Sequence, residues 1–197
     1  MKLGPDGALY IADFYNRIIG HYEVPLDHPG RDRERGRIWR VTYEGKDKSA
    51  PKPRKMPDLE KATPDELVAL LADPNLLVRT KATNQLVERI GKPAEALASA
   101  RLSSESAAQR AHALWVVERT AGLSGEQITK LAADADPLVR THLHQALAER
   151  RDWPAGTPAL GNLFRKSLAD ADPFVARAAV DGLGRHAAIE NIDPLLD

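Results

Sequence analysis

Asp13, His21, Asp27, His28 and Asp32 bring carboxylates and imidazoles into one stretch of chain, the residue types that hold a metal or a quinone cofactor. Their spacing matches no defined metal motif, so the competing expectation is turn and strand-edge hydrogen bonding. Asp13, His21, His28 and Asp32 stand as the candidate cofactor ligands. Arg31, Arg33, Arg35, Arg37 and Arg40 form a basic cluster, but Asp32 and Glu34 interrupt it and weaken its field. A solvated strand edge explains that alternation, and no nucleic-acid partner is expected. His142 and His144 are two residues apart, so on a helix they diverge by about 200° and cannot chelate one ion from one face. His112 and His186 stand alone further along and read as structural helix histidines. No Ser/His/Asp set, phosphate-binding glycine loop or paired carboxylates occur at a recognisable spacing, and Gly182-Leu183-Gly184 follows no strand. No catalytic residue and no metal site is expected.

The composition closes further chemistries. With no cysteine among 197 residues, a disulfide framework, a thiolate zinc site, a cysteine nucleophile and a covalently attached haem are excluded here. Lys and Arg number 28 and so do Asp and Glu. The cancellation is global only: 12 basic and 8 acidic residues reach to Pro57, and 16 and 20 follow it. No apolar run approaches the roughly 18 residues of a membrane span. Residues 1–20 contain Asp6, Asp13 and Arg17 and no signal-peptide core. The chain expressed alone would therefore be cytoplasmic.

The elements that must position these groups fall into two regions. Pro5-Asp6-Gly7 signals a turn, residues 8–12 and 37–43 read as strands, and residues 13–36 as a loop. An isolated hairpin is marginal in water, so something must cover it. Residues 45–58, with three prolines and five Lys or Arg, read as an extended linker. Residues 59–197 repeat. The template Val78-Arg79-x-x-Ala82-x-x-x-Leu86 recurs from Arg110, from Val139-Arg140 and from Val175-Ala176, with register positions 31, 30 and 36 apart. A shorter apolar helix precedes each, and Ile189 to Leu196 looks like the start of a fifth unit. Thr63-Pro64-Asp65-Glu66 and Ser124-Gly125-Glu126-Gln127 offer capping boxes. Asp73-Pro74, Asp136-Pro137 and Asp172-Pro173 are expected to start second helices, and Gly91 and Gly122 to end them. Arg79, Arg110 and Arg140 share one register and Asp73, Asp134 and Asp170 another, which predicts a structural ladder. Trp115 is expected in the core, and Trp153, in the longer inter-repeat loop, as an exposed interaction anchor.

The paired helices with Asp-Pro and then Val-Arg-x-x-Ala resemble HEAT repeats of the short, roughly 30-residue kind. Residues 4–13, continuing through Phe14-Tyr15-Asn16-Arg17, Asp27-His28-Pro29-Gly30 and Gly36-Arg37-Ile38-Trp39-Arg40-Val41, resemble the last propeller blade of planctomycete-type putative membrane-bound dehydrogenases. In that family a propeller related to quinoprotein sugar dehydrogenases precedes HEAT-like repeats and a c-type cytochrome domain. The resemblance implies a mainly α chain: a propeller-blade remnant over residues 1–44, a linker over 45–58 and a HEAT-like α-solenoid over 59–197. Function is then expected to be that of a non-catalytic protein-interaction or spacer module, its partner a protein, either other domains of the parent or another chain. The alternative is part of a quinone-dependent sugar or alcohol dehydrogenase. For the parent, the resemblance implies pyrroloquinoline quinone, calcium and haem c, and export to the periplasm or membrane. It implies no cofactor held by this chain alone.

Overall fold

The computed structural model describes residues 1–13, 24–32, 34–50, 54–153 and 160–196. The chain divides into two compact units, Met1–Pro57 and Asp58–Asp197.

The first unit carries a three-stranded antiparallel sheet, β1 (Lys2–Leu3), β2 (Leu9–Asp13) and β3 (Arg37–Val41), in the order β1-β2-β3. The turn between β1 and β2 is made by Asp6, whose Oδ1 accepts the Ala8 N–H at 3.0 Å, and by Gly7 at φ +83°, a conformation that suits glycine. The register pairs Leu9 with Val41, Ile11 with Trp39 and Asp13 with Arg37, which puts them on one face because directly opposed residues share a face. Tyr10 and Arg40 pair on the other face, where Arg40 Nη2 donates to Asp6 Oδ2 at 2.7 Å and the Tyr10 hydroxyl donates to the same oxygen at 3.1 Å. Both hydrogen bonds tie the turn back onto the sheet. The Asp6 carboxyl is held below its ordinary range by the Ala8 N–H first and by Arg40 next.

The second unit is helical. Its elements are α1 (Pro64–Leu70), α2 (Leu76–Asn84) running on into a π-helical turn (Gln85–Ile90), α3 (Ala94–Ser99) and α4 (Ala107–Thr120). Then come α5 (Gly125–Ala132), α6 (Pro137–Ala148), α7 (Leu160–Ser167), α8 (Pro173–Arg185), a 3-10 turn (Ile189–Asn191) and α9 (Ile192–Leu196). Local chemistry sets the boundaries. Thr63 with Glu66, and Ser124 with Gln127, form the two reciprocal capping boxes. Gly91 at φ +66° and Gly122 at φ +81° end α2's π turn and α4. Asp136 and Asp172 cap α6 and α8 ahead of a proline. Asp73 departs from that expectation. Asn75 caps α2, and Asp73 stands two residues earlier with its Oδ1 accepting the Asn75 N–H at 2.7 Å.

Each short helix packs on the long helix that follows it, and the long helices pack in series, α2 on α4, α4 on α6 and α6 on α8. The core lies between the two rows, where Leu67, Leu71, Val78, Leu86, Leu114, Leu131, Leu143, Leu147, Phe164 and Leu183 are fully buried. One close approach decides a residue type. A Cβ on Gly182 of α8 would collide with the Phe164 ring of α7, so only glycine lets the ring approach the helix so closely.

Candidate functional site

The recurring arginines and aspartates meet across neighbouring helix pairs. Arg110 Nε and Nη2 donate to the two carboxylate oxygens of Asp134 at 2.8 and 2.7 Å, and its Nη1 donates to the Ser104 and Glu105 carbonyls of its own inter-helix turn. Arg140 does the same one pair on, with Asp170 at 2.9 and 2.8 Å and with the Asp134 and Ala135 carbonyls. The two forks are chained through Asp134, whose carboxylate takes Arg110 and whose carbonyl takes Arg140. Each aspartate also turns its own loop, Asp134 Oδ1 accepting the Asp136 N–H and Asp170 Oδ1 the Asp172 N–H, both at 2.9 Å. Planar guanidinium groups suit this task because five donors lie in one fork. Burial pushes the Asp134 carboxyl up, but Arg110 and the Asp136 N–H outweigh it and hold it below the ordinary range. Asp170 is lowered chiefly by Arg140.

The first rung is different. Arg79 Nη1 donates to the Asp73 and Pro74 carbonyls at 2.6 and 3.1 Å, while its buried Nε has no hydrogen-bond partner among the described residues. The position equivalent to Asp134 and Asp170 is Ser104. Its hydroxyl donates to Gln109 Oε1 at 2.6 Å, and Gln109 Nε2 reaches the Val68 carbonyl. Gln109 occupies the register held elsewhere by Val78, Val139 and Val175. The pair Ser104→Asp with Gln109→Val therefore gives Arg79 the missing carboxylate without leaving a glutamine oxygen facing it. The double variant is expected to raise stability by about 1 kcal/mol, read as a higher urea midpoint, with Ser104→Asp alone gaining less.

A second arginine register escapes a reading built on the first template. Arg89 and Arg150 lie ten residues after Arg79 and Arg140. Arg89 Nη2 donates to the Leu59 and Ala62 carbonyls at 3.2 and 2.7 Å, ahead of α1. Arg150 Nη2 reaches the Leu123 carbonyl ahead of α5, and the same guanidinium forks onto Glu118 at 2.7 Å through both nitrogens. These ties close the far ends of the hairpins. Their equal offset from the template arginines is the signal that would have found them.

The histidines are partners of neighbouring helices. His112 and His142 occupy equivalent places on α4 and α6, two residues after Arg110 and Arg140, so they do not stand in unrelated positions. His112 Nδ1 lies 2.9 Å from Thr83 Oγ1 on α2, and Trp115 Nε1–H donates to His142 Nδ1 at 3.0 Å. Trp115 is half-buried, with Arg119 over its ring at 4.6 Å. His144 Nδ1 sits 2.8 Å from the Arg140 carbonyl, so it carries the proton, and the buried Nε2 is left without a partner among the described residues. Burial pushes the His112 pKa down to about 4, assisted by the Arg79 and His142 charges, and lowers His142 and His144 as well.

All three imidazoles are thus neutral when folded and take up protons more readily when unfolded, near pH 6.5. The contribution of His112 is complete above about pH 7 and is lost as the pH falls from 6.5 towards 4, and His142 and His144 act in the same direction. The urea midpoint should therefore drop across that window, by the equivalent of about 2 kcal/mol for His112 after discounting for its partial exposure. His112→Gln should flatten the slope. A midpoint unchanged between pH 7 and 4.5 would refute this.

Trp153 is not the exposed anchor the loop position suggested. Its Nε1–H donates to the Leu147 carbonyl at 3.0 Å, and its ring stacks on His186 at 4.0 Å and leans on Phe164 at 4.6 Å. An indole flanked by a histidine and a phenylalanine gains more from that pocket than from water. It pins the end of α6 to α7 and α8.

The candidate ligands of the first unit are engaged separately. Asp13 Oδ2 accepts the Trp39 Nε1–H at 2.9 Å, His28 Nδ1 accepts the Gly30 N–H at 3.0 Å, and Asp32 Oδ1 accepts the Glu34 and Arg35 N–H groups. His21 lies outside the described residues, as does Arg33 of the basic cluster. Among the described residues no three His, Asp or Glu side chains converge as metal ligands. In the helical unit a cleft of about 560 Å³ opens between α5 and α7, at the longer inter-repeat interval. It is walled by Ile128, Ala132, Leu160 and Leu163. Lys166 and Asp170 are charged residues of its lining, and Asp170 is held by Arg140.

The chain thus comprises a mainly helical unit braced by charged forks and a small sheet-bearing unit. A family model described as a domain of unknown function (DUF7133) matches residues 1–45, ending before the helical unit begins. None of the curated proteins compared with the chain matches it. No helix among the described residues is long and apolar enough to cross a membrane.

Proposed function

We propose that this chain is a non-catalytic interaction and spacer module, a HEAT-like solenoid of stacked helical hairpins within a larger dehydrogenase-like protein. The observation that carries the reading is the chained fork Arg110–Asp134–Arg140–Asp170, which joins successive helix pairs by the same kind of contact. A quasi-one-dimensional array of this kind is stabilised between neighbours and presents extended surfaces to a protein partner. Residues 59–197 are the part that binds. The test is a pull-down against candidate partners, other domains of a parent polypeptide included, by the whole chain and by a chain ending at residue 58. Equal capture by both would reject the reading.

The sheet of the first unit supports a subordinate view in which residues 1–44 are the remnant of a propeller blade from a quinone-dependent sugar or alcohol dehydrogenase. Leu9, Ile11, Trp39 and Val41 share one face, and Trp39 and Val41 are 50% and 49% exposed, as befits a strand set that expects a neighbouring layer. Dye reduction by this chain after addition of pyrroloquinoline quinone and calcium would favour the enzyme reading. None is expected.

A further inference from the structure

The geometry points to a carboxylate-binding site at the first rung of the ladder, where the Arg79 guanidinium takes a carboxylate brought from outside this chain into the place that Asp134 and Asp170 fill for Arg110 and Arg140. All three arginines are posed alike by their own inter-helix turns. Arg79 Nη1 donates to the Asp73 and Pro74 carbonyls, Arg110 Nη1 to those of Ser104 and Glu105, and Arg140 Nη1 to those of Asp134 and Ala135. That contact leaves Nε and Nη2 as a parallel pair of donors, and in the second and third rungs one carboxylate fills both at between 2.7 and 2.9 Å. In the first rung neither nitrogen has a hydrogen-bond partner among the described residues, and Nε is buried. The rung lies between two helix pairs that both belong to this chain, α1 with α2 and α3 with α4.

Ser104 takes the place of the aspartate in its backbone and turn contacts. Its Oγ accepts the Ser106 N–H at 3.3 Å, as Asp134 Oδ1 accepts the Asp136 N–H and Asp170 Oδ1 the Asp172 N–H. Its carbonyl takes the Arg110 guanidinium at 2.7 Å, as the Asp134 carbonyl takes Arg140 at 2.8 Å. What serine lacks is the second oxygen and the charge, so the turn is placed as in the filled rungs while the side chain forms no bond to Arg79. The Ser104 hydroxyl donates to Gln109 Oε1 at 2.6 Å, and Gln109 is itself only 9% exposed. That oxygen is thereby covered by a proton, and an incoming carboxylate meets no bare acceptor on this side.

A buried N–H without an acceptor is costly, so a group that fills it gains more than the attraction of opposite charges in water. The planar fork favours a planar group with two oxygens over a halide. The site deepens the scaffold reading and rests on it for its partner: a docking protein would present an Asp or Glu side chain here. A free small acid is the other source of the same chemistry.

The test is the Arg79 Nε–Hε signal in proton–nitrogen correlation spectra of the whole chain, assigned by its loss in Arg79→Lys, as acetate replaces chloride at constant ionic strength. A saturable downfield shift with a dissociation constant of about 1–10 mM is expected, with the Arg110 and Arg140 signals unmoved because their forks are filled. Ser104→Asp with Gln109→Val should put the Arg79 signal at the shifted position without acetate and abolish the response, in a chain at least as stable as the parent. A capped tripeptide with one central aspartate separates the sources. A response to it as well assigns a protein side chain, and a response to acetate alone assigns a free small acid. An Arg79 signal that ignores acetate, or that still responds in the double variant, would overturn the site. The pull-down by the whole chain and by the chain ending at residue 58 tests the scaffold reading separately, so either can fail while the other stands.

Discussion

Phe164→Ala is expected to lower the stability of the helical unit by about 3–5 kcal/mol, the largest effect of any single truncation in this chain. The ring is fully buried and is touched from three sides, by His144 at 4.7 Å, by Trp153 at 4.6 Å and by the bare backbone of Gly182. A cavity at that point cannot collapse easily, because Trp153 is fixed by its bond to the Leu147 carbonyl and α8 is fixed by its packing on α6. Leu163→Ala, at the wall of the open cleft next to it, removes a smaller and only half-buried side chain and should cost less than half as much. Urea unfolding followed by circular dichroism separates the two. Equal losses would mean that the aromatic cluster is no more tightly packed than the cleft.

The second large effect is expected from the charged forks. Arg110→Ala and Arg140→Ala should each cost about 2–3 kcal/mol, lowering the melting temperature by roughly 5–10 °C. The loss has two parts. A carboxylate that is only 11% exposed at Asp134, or 17% at Asp170, is left without its cation, and the carbonyls of the inter-helix turn lose their donor. Arg79→Ala, which removes an arginine of the same register with no carboxylate partner in place, should cost about 1 kcal/mol. The double variant Arg110→Ala with Arg140→Ala should lose less than the sum of the two singles, by roughly 0.5–1 kcal/mol, because both forks act through Asp134. Strict additivity would mean that the chain of contacts is two independent bridges. An unchanged melting temperature in either single variant would mean that the forks are ornamental.

The helices themselves could be read from the amino-acid order. Thr63 with Glu66 and Ser124 with Gln127 announce the starts of α1 and α5, and Gly91 and Gly122 announce two ends, because caps act over three or four residues and their chemistry is written locally. The near-regular return of Arg79, Arg110 and Arg140 likewise pointed to a structural task. Misreading Asp73 as the cap of α2 shows the limit of that logic. Asp73 and Asn75 both carry an oxygen able to cap, and only the turn geometry shows that Asn75 takes the Leu77 N–H while Asp73 supports Asn75.

What tertiary structure decided was partnership across the stack. Arg110 finds its carboxylate 24 residues on and Arg140 finds one 30 residues on, while the equivalent position for Arg79 is Ser104, whose hydroxyl goes to Gln109 instead. Trp153 looked free because it lies in the longer inter-repeat loop, yet His186 and Phe164 come from elsewhere in the chain to pack on its ring. The neutral histidines are of the same kind: burial between α2, α4 and α6 sets their protonation, and no neighbour in the chain predicts it. The sequence determines which stretches become helices and which face of each is apolar, because hydrogen bonding and periodicity operate within a few residues. Which charge meets which, and which ring fills which gap, follows from the packing of those faces, a long-range event between residues 24 to 30 apart in the chain for the two forks.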